Sequence, residues 1–150
     1  MRLEHSFEVR APLAQVWELL IDVRRVAPCL PGAEGTELDD DGVYHGNFTV
    51  KIGPATASYR GELRIDSLDA AAHRATMHAS GSDRRGQGGA RAVITSVLSE
   101  SGTGTRVDVD TDMTITGRLA RFGRGGMIED VSERLLADFA ACLRTRLEQP

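Results

Sequence analysis

The chain has 150 residues, 41% of them hydrophobic and 27% charged, with a formal net charge of −4 at pH 7. That length fits a single domain over 1–150, which buries about two thirds of its unfolded surface. The composition excludes a disordered chain, and the acidic balance excludes a nonspecific nucleic-acid binder, which needs a strongly basic face. Residues 2–10 alternate, with Leu3, His5, Phe7 and Val9 on one side, and predict a half-buried strand. Ala11-Pro12 ends it, and Pro12 suits the first turn of a helix in which Leu13, Val16, Trp17 and Leu20 recur at helical spacing. Asp22 is placed to cap a second short helix carrying Val23 and Val26, which Pro28 and Pro31 terminate.

From residue 33 the period changes to two. Strands are predicted near 33–39, 43–52, 55–66, 73–81, 89–99 and 105–116, separated by turn signals such as Asp-Asp-Asp-Gly at 39–42 and Ser-Gly-Thr-Gly at 101–104. Short connections make neighbouring strands antiparallel. One face presents Phe48, Val50, Tyr59, Leu63, Ile65, Met77, Val107, Val109, Met113 and Ile115. A helix of about twenty residues follows from Met127, with Ile128, Val131, Leu135, Leu136, Phe139, Cys142, Leu143 and Leu147 as its apolar stripe. The fold class is therefore α+β: a seven-stranded antiparallel sheet wrapped around a long C-terminal helix, with two short helices after the first strand. A curved sheet gripping one helix leaves room for a cavity. Its lining would come from Phe48, Val50, Tyr59, Met77, Met113, Ile115, Phe122, Met127, Val131, Leu135 and Phe139. Periodicity does not separate such a cavity from a packed core, so both readings stand at this point.

Catalytic and metal readings find little support. Asp108, Asp110 and Asp112 share the solvent face of one strand, where neighbouring arginines pair with them and nothing shifts their titration. His5, His45, His73 and His78 form no metal-spaced pair, and His73 and His78, five apart on one strand, point to opposite faces. Cys29 and Cys142 show no base or orienting partner for catalysis, and the alternating polar start, unlike a secretory signal, leads to both being expected as free thiols in a reducing cytoplasm. SGSDRRGQGG at 80–89 lies between two strands, without the following helix of a phosphate loop, and reads as a hairpin turn whose Arg84 and Arg85 are free for an anionic partner. No catalytic residue and no metal are expected.

Five stretches together carry a resemblance: PLAQVWELLID at 12–22, CLPGAEG at 29–35, VKIGPATASYRGEL at 50–63, GSDRRGQGGARA at 81–92, and ITGRLARFGRGGMIEDV at 115–131. In order and spacing they resemble the carbon monoxide dehydrogenase G-subunit family, of the START-like (SRPBCC) helix-grip superfamily that also contains Bet v 1-like proteins. The resemblance implies an internal apolar cavity and a non-catalytic role beside a molybdenum-containing carbon monoxide dehydrogenase-type enzyme, either recruiting it to the membrane or serving its assembly. Such enzymes pass electrons toward a quinone. The implied ligand is menaquinone or ubiquinone, or another lipid, carried without a covalent cofactor, by a cytoplasmic protein at the inner face of the cell membrane. Each buried CH₂ of an isoprenoid tail is worth about 0.8 kcal/mol. GRLARFGRGG then reads as a cationic lid. Arg118, Arg121 and Arg124 would meet an anionic leaflet, Leu119 and Phe122 would dip into the interface, and glycines would hinge the segment. The alternatives are a docking or assembly factor without a lipid ligand and, last, a small-molecule cyclase or hydrolase, for which His5, Tyr44 and Tyr59 offer no partnered acid–base set.

Overall fold

A strand, β1 (Arg2–Val9), leads into two short helices, α1 (Leu13–Leu20) and α2 (Val23–Val26). The Pro12 carbonyl accepts from the Gln15 and Val16 amides at 3.0 and 3.2 Å, starting α1. The Asp22 side chain accepts from the Arg25 amide and caps α2, as its sequence position predicts. A 3₁₀ turn, Ala27–Cys29, closes this excursion. Six strands follow: β2 (Ala33–Leu38), β3 (Val43–Ile52), β4 (Ala55–Asp69), β5 (Arg74–Asp83), β6 (Gly89–Ser101) and β7 (Gly104–Ile115). The long helix α3 spans Met127–Leu147. The computed structural model describes residues 1–86, 88–117, 119–120 and 126–148.

The seven strands form one antiparallel sheet in the order β1-β7-β6-β5-β4-β3-β2. Five hairpin connections set that order, and the α1–α2 excursion folds back so that β1 pairs with β7 along its whole length, Arg2 opposite Asp112 and Val9 opposite Thr105. This is the expected helix-grip architecture. β4 runs on to Asp69, beyond its predicted end, past a register shift between Ile65 and Ser67. His73 lies before β5 rather than on it. It adopts a left-handed φ of 50° in the β4–β5 turn and packs its ring edge-on against Trp17 at 5.5 Å.

α3 starts from Gly126, whose φ of 80° favours glycine. Glu129 and Asp130 occupy its first turn and Arg144 and Arg146 its last, as its dipole favours. Its C-terminal end is tied down. Arg144 Nε donates to the Glu8 carbonyl at 2.9 Å, and the Arg146 guanidinium donates to the Arg25 carbonyl.

The core is divided along α3. A larger cluster joins Val9, Val16, Trp17, Leu19, Leu20, Val107, Leu98 and Leu143 around the C-terminal half. A smaller one joins Ile52, Ala57, Tyr59, Leu119, Ile128 and Val131 around the N-terminal half. The cysteines correct the sequence reading: Cys29 and Cys142 are joined in a disulfide, with Cα atoms 5.4 Å apart. The 3₁₀ turn brings Cys29 beneath the apolar side of α3, within disulfide reach. A separation of 113 residues gives no sign of this in the sequence.

Candidate functional site

Side chains on the inner face of the sheet are set by register. Gly46, Gly61, Gly81, Ala90 and Ile115 are consecutive cross-strand partners on β3, β4, β5, β6 and β7. Four adjacent strands thus contribute nothing larger than a methyl group to one row. A Cβ built on Gly61 would meet, among the described residues, only two backbone oxygens, both at 3.6 Å. No described side chain comes within 4 Å of it. On one flank the row Phe48–Tyr59–Asp83 runs parallel, and the Tyr59 ring leans over Gly81, 3.4 Å from a Cβ placed there. On the other flank runs Tyr44–Leu63–Ala79–Ala92–Met113, followed by Ile65–Met77–Ile94.

The middle of this face is not closed. Leu63, Ile65, Met77 and Met113 point inward yet stay half-buried, and none belongs to either core cluster. The small-residue row borders the smaller cluster, with Tyr59 leaning over Gly81 and Ile115 packed on that cluster. Methionines suit a space whose contents vary.

The predicted lining residues separate on this geometry. Tyr59 and Val131 belong to the smaller cluster, and Phe48, Val50, Ile115, Met127 and Leu135 pack against it. Phe139 joins the larger cluster instead, with its ring 6.5 Å from that of Phe7. Met77 and Met113 line the open middle. Phe122, Arg118, Arg121 and Arg124 lie outside the described residues. Leu119 corrects its assignment: it is 2% exposed within the smaller cluster, so it is a core residue and not a membrane contact. Sequence reasoning missed the glycine row, because the three glycines stand far apart until register aligns them. It also missed Asp83, buried beside Tyr59, whose carboxylate accepts from the Arg85 amide at 2.9 Å and shapes the β5–β6 turn.

The hairpin ends carry opposite charge. Lys51, Arg60, Arg84, Arg85 and Arg91 are exposed on or near the β3–β4 and β5–β6 turns, and make no ion pair among the described residues. Gly88 at this end packs against the Thr116 and Gly117 backbone, and Gly53 lies against Met127, so the basic end borders the approach to α3. The opposite turns carry Asp39, Asp40, Asp41 and Asp69. There His45 Nε2 lies 2.7 Å from an Asp39 carboxylate oxygen. That hydrogen bond raises the histidine above its ordinary value and holds Asp39 below the usual carboxylate range. On the outer face Arg106 pairs with Asp108, as the solvated-strand reading expects, whereas the Arg2 guanidinium hydrogen-bonds Asp110 and holds it below the usual carboxylate range, a shift that reading does not expect. Among the described residues no three His, Cys, Asp or Glu side chains gather as a metal site. No described helix is long and apolar enough to cross a membrane.

The glycine-floored, partly covered face between the two clusters is the candidate site. The model of the carbon monoxide dehydrogenase G-subunit family, CoxG, matches residues 6–148. The chain belongs to that family. No curated protein matches it by sequence. Among solved structures, a conserved protein from Geobacillus kaustophilus is similar with a TM-score of 0.85 at 18% identity, covering 97% of this chain and 94% of that one. The Zhui aromatase/cyclase from Streptomyces sp. R1128 gives 0.70 at 19%, covering 99% and 93%. A truncated norcoclaurine synthase from Thalictrum flavum gives 0.65 at 16%, covering 100% and 95%. These likenesses establish a shared fold. The CoxG family stands alongside synthases and cyclases in having it, so chemistry must be argued from the chain's own residues.

Proposed function

We propose that this CoxG family member is a non-catalytic carrier. It holds menaquinone or ubiquinone against the inner face of its sheet and delivers it between a membrane surface and a molybdenum-containing carbon monoxide dehydrogenase-type enzyme. The observation that carries this reading is the partly covered middle: half-buried Leu63, Ile65, Met77 and Met113 flank Gly61, where no described side chain comes within 4 Å of an added Cβ. An isoprenoid tail would cover that apolar surface, at about 0.8 kcal/mol for each CH₂ withdrawn from water. Lys51, Arg84 and Arg85, without an ion pair among the described residues, give the same molecule an end suited to an anionic leaflet, where each basic group contributes about 1 kcal/mol. A carrier needs no acid–base pair, and among the described residues the polar groups facing inward from the sheet include His5, Tyr44, Tyr59, Asp83, Ser96, Thr105 and Thr111. The peripheral, cytoplasmic placement belongs to the same proposal.

Native mass spectrometry and organic extraction of the purified protein test it. A quinone bound one to one is the expected result. Protein that extracts free of lipid and takes up none from quinone-loaded vesicles would overturn the carrier reading, leaving a docking factor for the enzyme.

A further inference from the structure

We propose that the Cys29–Cys142 disulfide is a redox-operated pin, which fixes the C-terminal half of α3 and confines opening of the inner face to the N-terminal half. The inference does not depend on which ligand the inner face takes. Cys29 sits in a stiff segment between Pro28 and Pro31 and is buried in the larger cluster. Its partner lies in the last third of α3, next to Leu143, which is fully buried. Nearby, Arg144 and Arg146 tie the same part of α3 to β1 and to α2. The other end of α3 has no such anchors among the described residues. It begins at a left-handed glycine and rests on the smaller cluster, beside the open middle.

The geometry makes α3 a lever. Cys142 lies about 22 Å along the helix from Met127, at 1.5 Å per residue. A tilt of about 10° around the pin therefore carries the Met127 end about 4 Å away from the sheet. The pin decides which end moves. With it closed, access to Met77 and Met113 comes from the Met127 end. With it open, both halves of α3 are held only by packing and hydrogen bonds.

The chemistry is thiol–disulfide exchange with a dithiol reductant. A thiolate attacks the sulfur of Cys142, the less buried of the pair, forming a mixed disulfide, while Cys29 leaves as a thiolate and takes up a proton. The second thiol of the reductant then attacks the mixed disulfide and releases Cys142. Two electrons and two protons pass to the protein, and the reductant ends as its own disulfide. Bonds of this kind in reducing compartments are commonly redox-active rather than structural.

The test is hydrogen exchange on the wild-type chain, oxidised and then reduced with dithiothreitol, with the thiol state read by alkylation. Alkylation is expected to label neither cysteine before reduction and both after it. In the oxidised protein, amides over 127–135 should exchange faster than those over 139–147. Reduction should speed exchange over 139–147 at least about tenfold and narrow the difference. The Cys29→Ser/Cys142→Ser protein should match the reduced pattern under all conditions, and the dithiothreitol titration decides the matter if that protein does not fold. Two freely alkylated cysteines after treatment with a mild oxidant would overturn the proposal. So would an unchanged exchange pattern along α3 when the bond is reduced.

Discussion

Around Leu143, α3 is closed in by β1, α1, the sheet and a disulfide, and Val9, Val16, Leu19 and Val107 are all but inaccessible. Around Val131, the same helix rests on a smaller cluster, and the sheet beyond it keeps Met77 and Met113 half-buried above a row of glycines. One half of the grip carries stability, and the other keeps surface in reserve. The difference teaches that an apolar stripe along a helix does not tell a core from a binding face. The size of the residues opposite does.

The sharpest way to break this comparison is to truncate one side chain in each region. Leu143→Ala removes a fully buried side chain and should cost about 3–5 kcal/mol, lowering Tm by about 10 °C or more in calorimetry. Met113→Ala, on the partly covered middle of the face, should cost about 1–2 kcal/mol, because part of its surface is already free. Equal losses would erase the distinction between the halves.

Filling the trough should act on binding alone. Gly61→Val places a branched side chain where the described structure has no side chain, and strand propensity favours it by about 0.5–1 kcal/mol. Stability should hold or rise while affinity for a short-chain menaquinone falls at least about tenfold, measured by quenching of Trp17 fluorescence. Undiminished affinity would move the site elsewhere.

The charge contrast yields a smaller, salt-dependent effect. Lys51→Glu, Arg84→Glu and Arg85→Glu together should weaken co-sedimentation with anionic vesicles by about tenfold or more at low salt, and by less at physiological ionic strength. Vesicles of neutral lipid should not distinguish the two proteins. The smallest effect belongs to the acidic end. The histidine bonded to Asp39 has a raised value, so its contribution is complete below its ordinary 6.5 and is lost as pH rises through the folded value. Asp39 is lowered, so its contribution is present above its ordinary 3.8 and is lost as pH falls through the folded value. Protection of the Asp41 and Val43 amides, both donated to Asp39, measured relative to their intrinsic exchange rates, should therefore be greatest between these limits, and His45→Asn should flatten the alkaline side.

Much of the fold is legible in the chain because period is local. Alternation marks β1 and the run from β2 to β7, Pro12 and Asp22 mark two helix starts, and the stripe from Ile128 to Leu147 marks α3. What pairing creates is not legible. Gly46, Gly61 and Gly81 become neighbours only through register, Cys29 meets Cys142 across nearly the whole chain, and Leu119 turns inward although it stands among arginines and glycines. The site is half visible for that reason. Its aromatic and methionine residues stand out by type, whereas its floor consists of residues with no side chain to notice.

The central claim is that the open middle of the inner face takes the ligand. The chain has four methionines, so methyl-labelled methionine gives a spectrum of four signals. Titrating a short-chain menaquinone into this protein and following those signals by NMR tests the claim directly. Shifts of Met77 and Met113 that saturate together at one equivalent are the predicted result. Saturable binding that leaves both of them unmoved would contradict it.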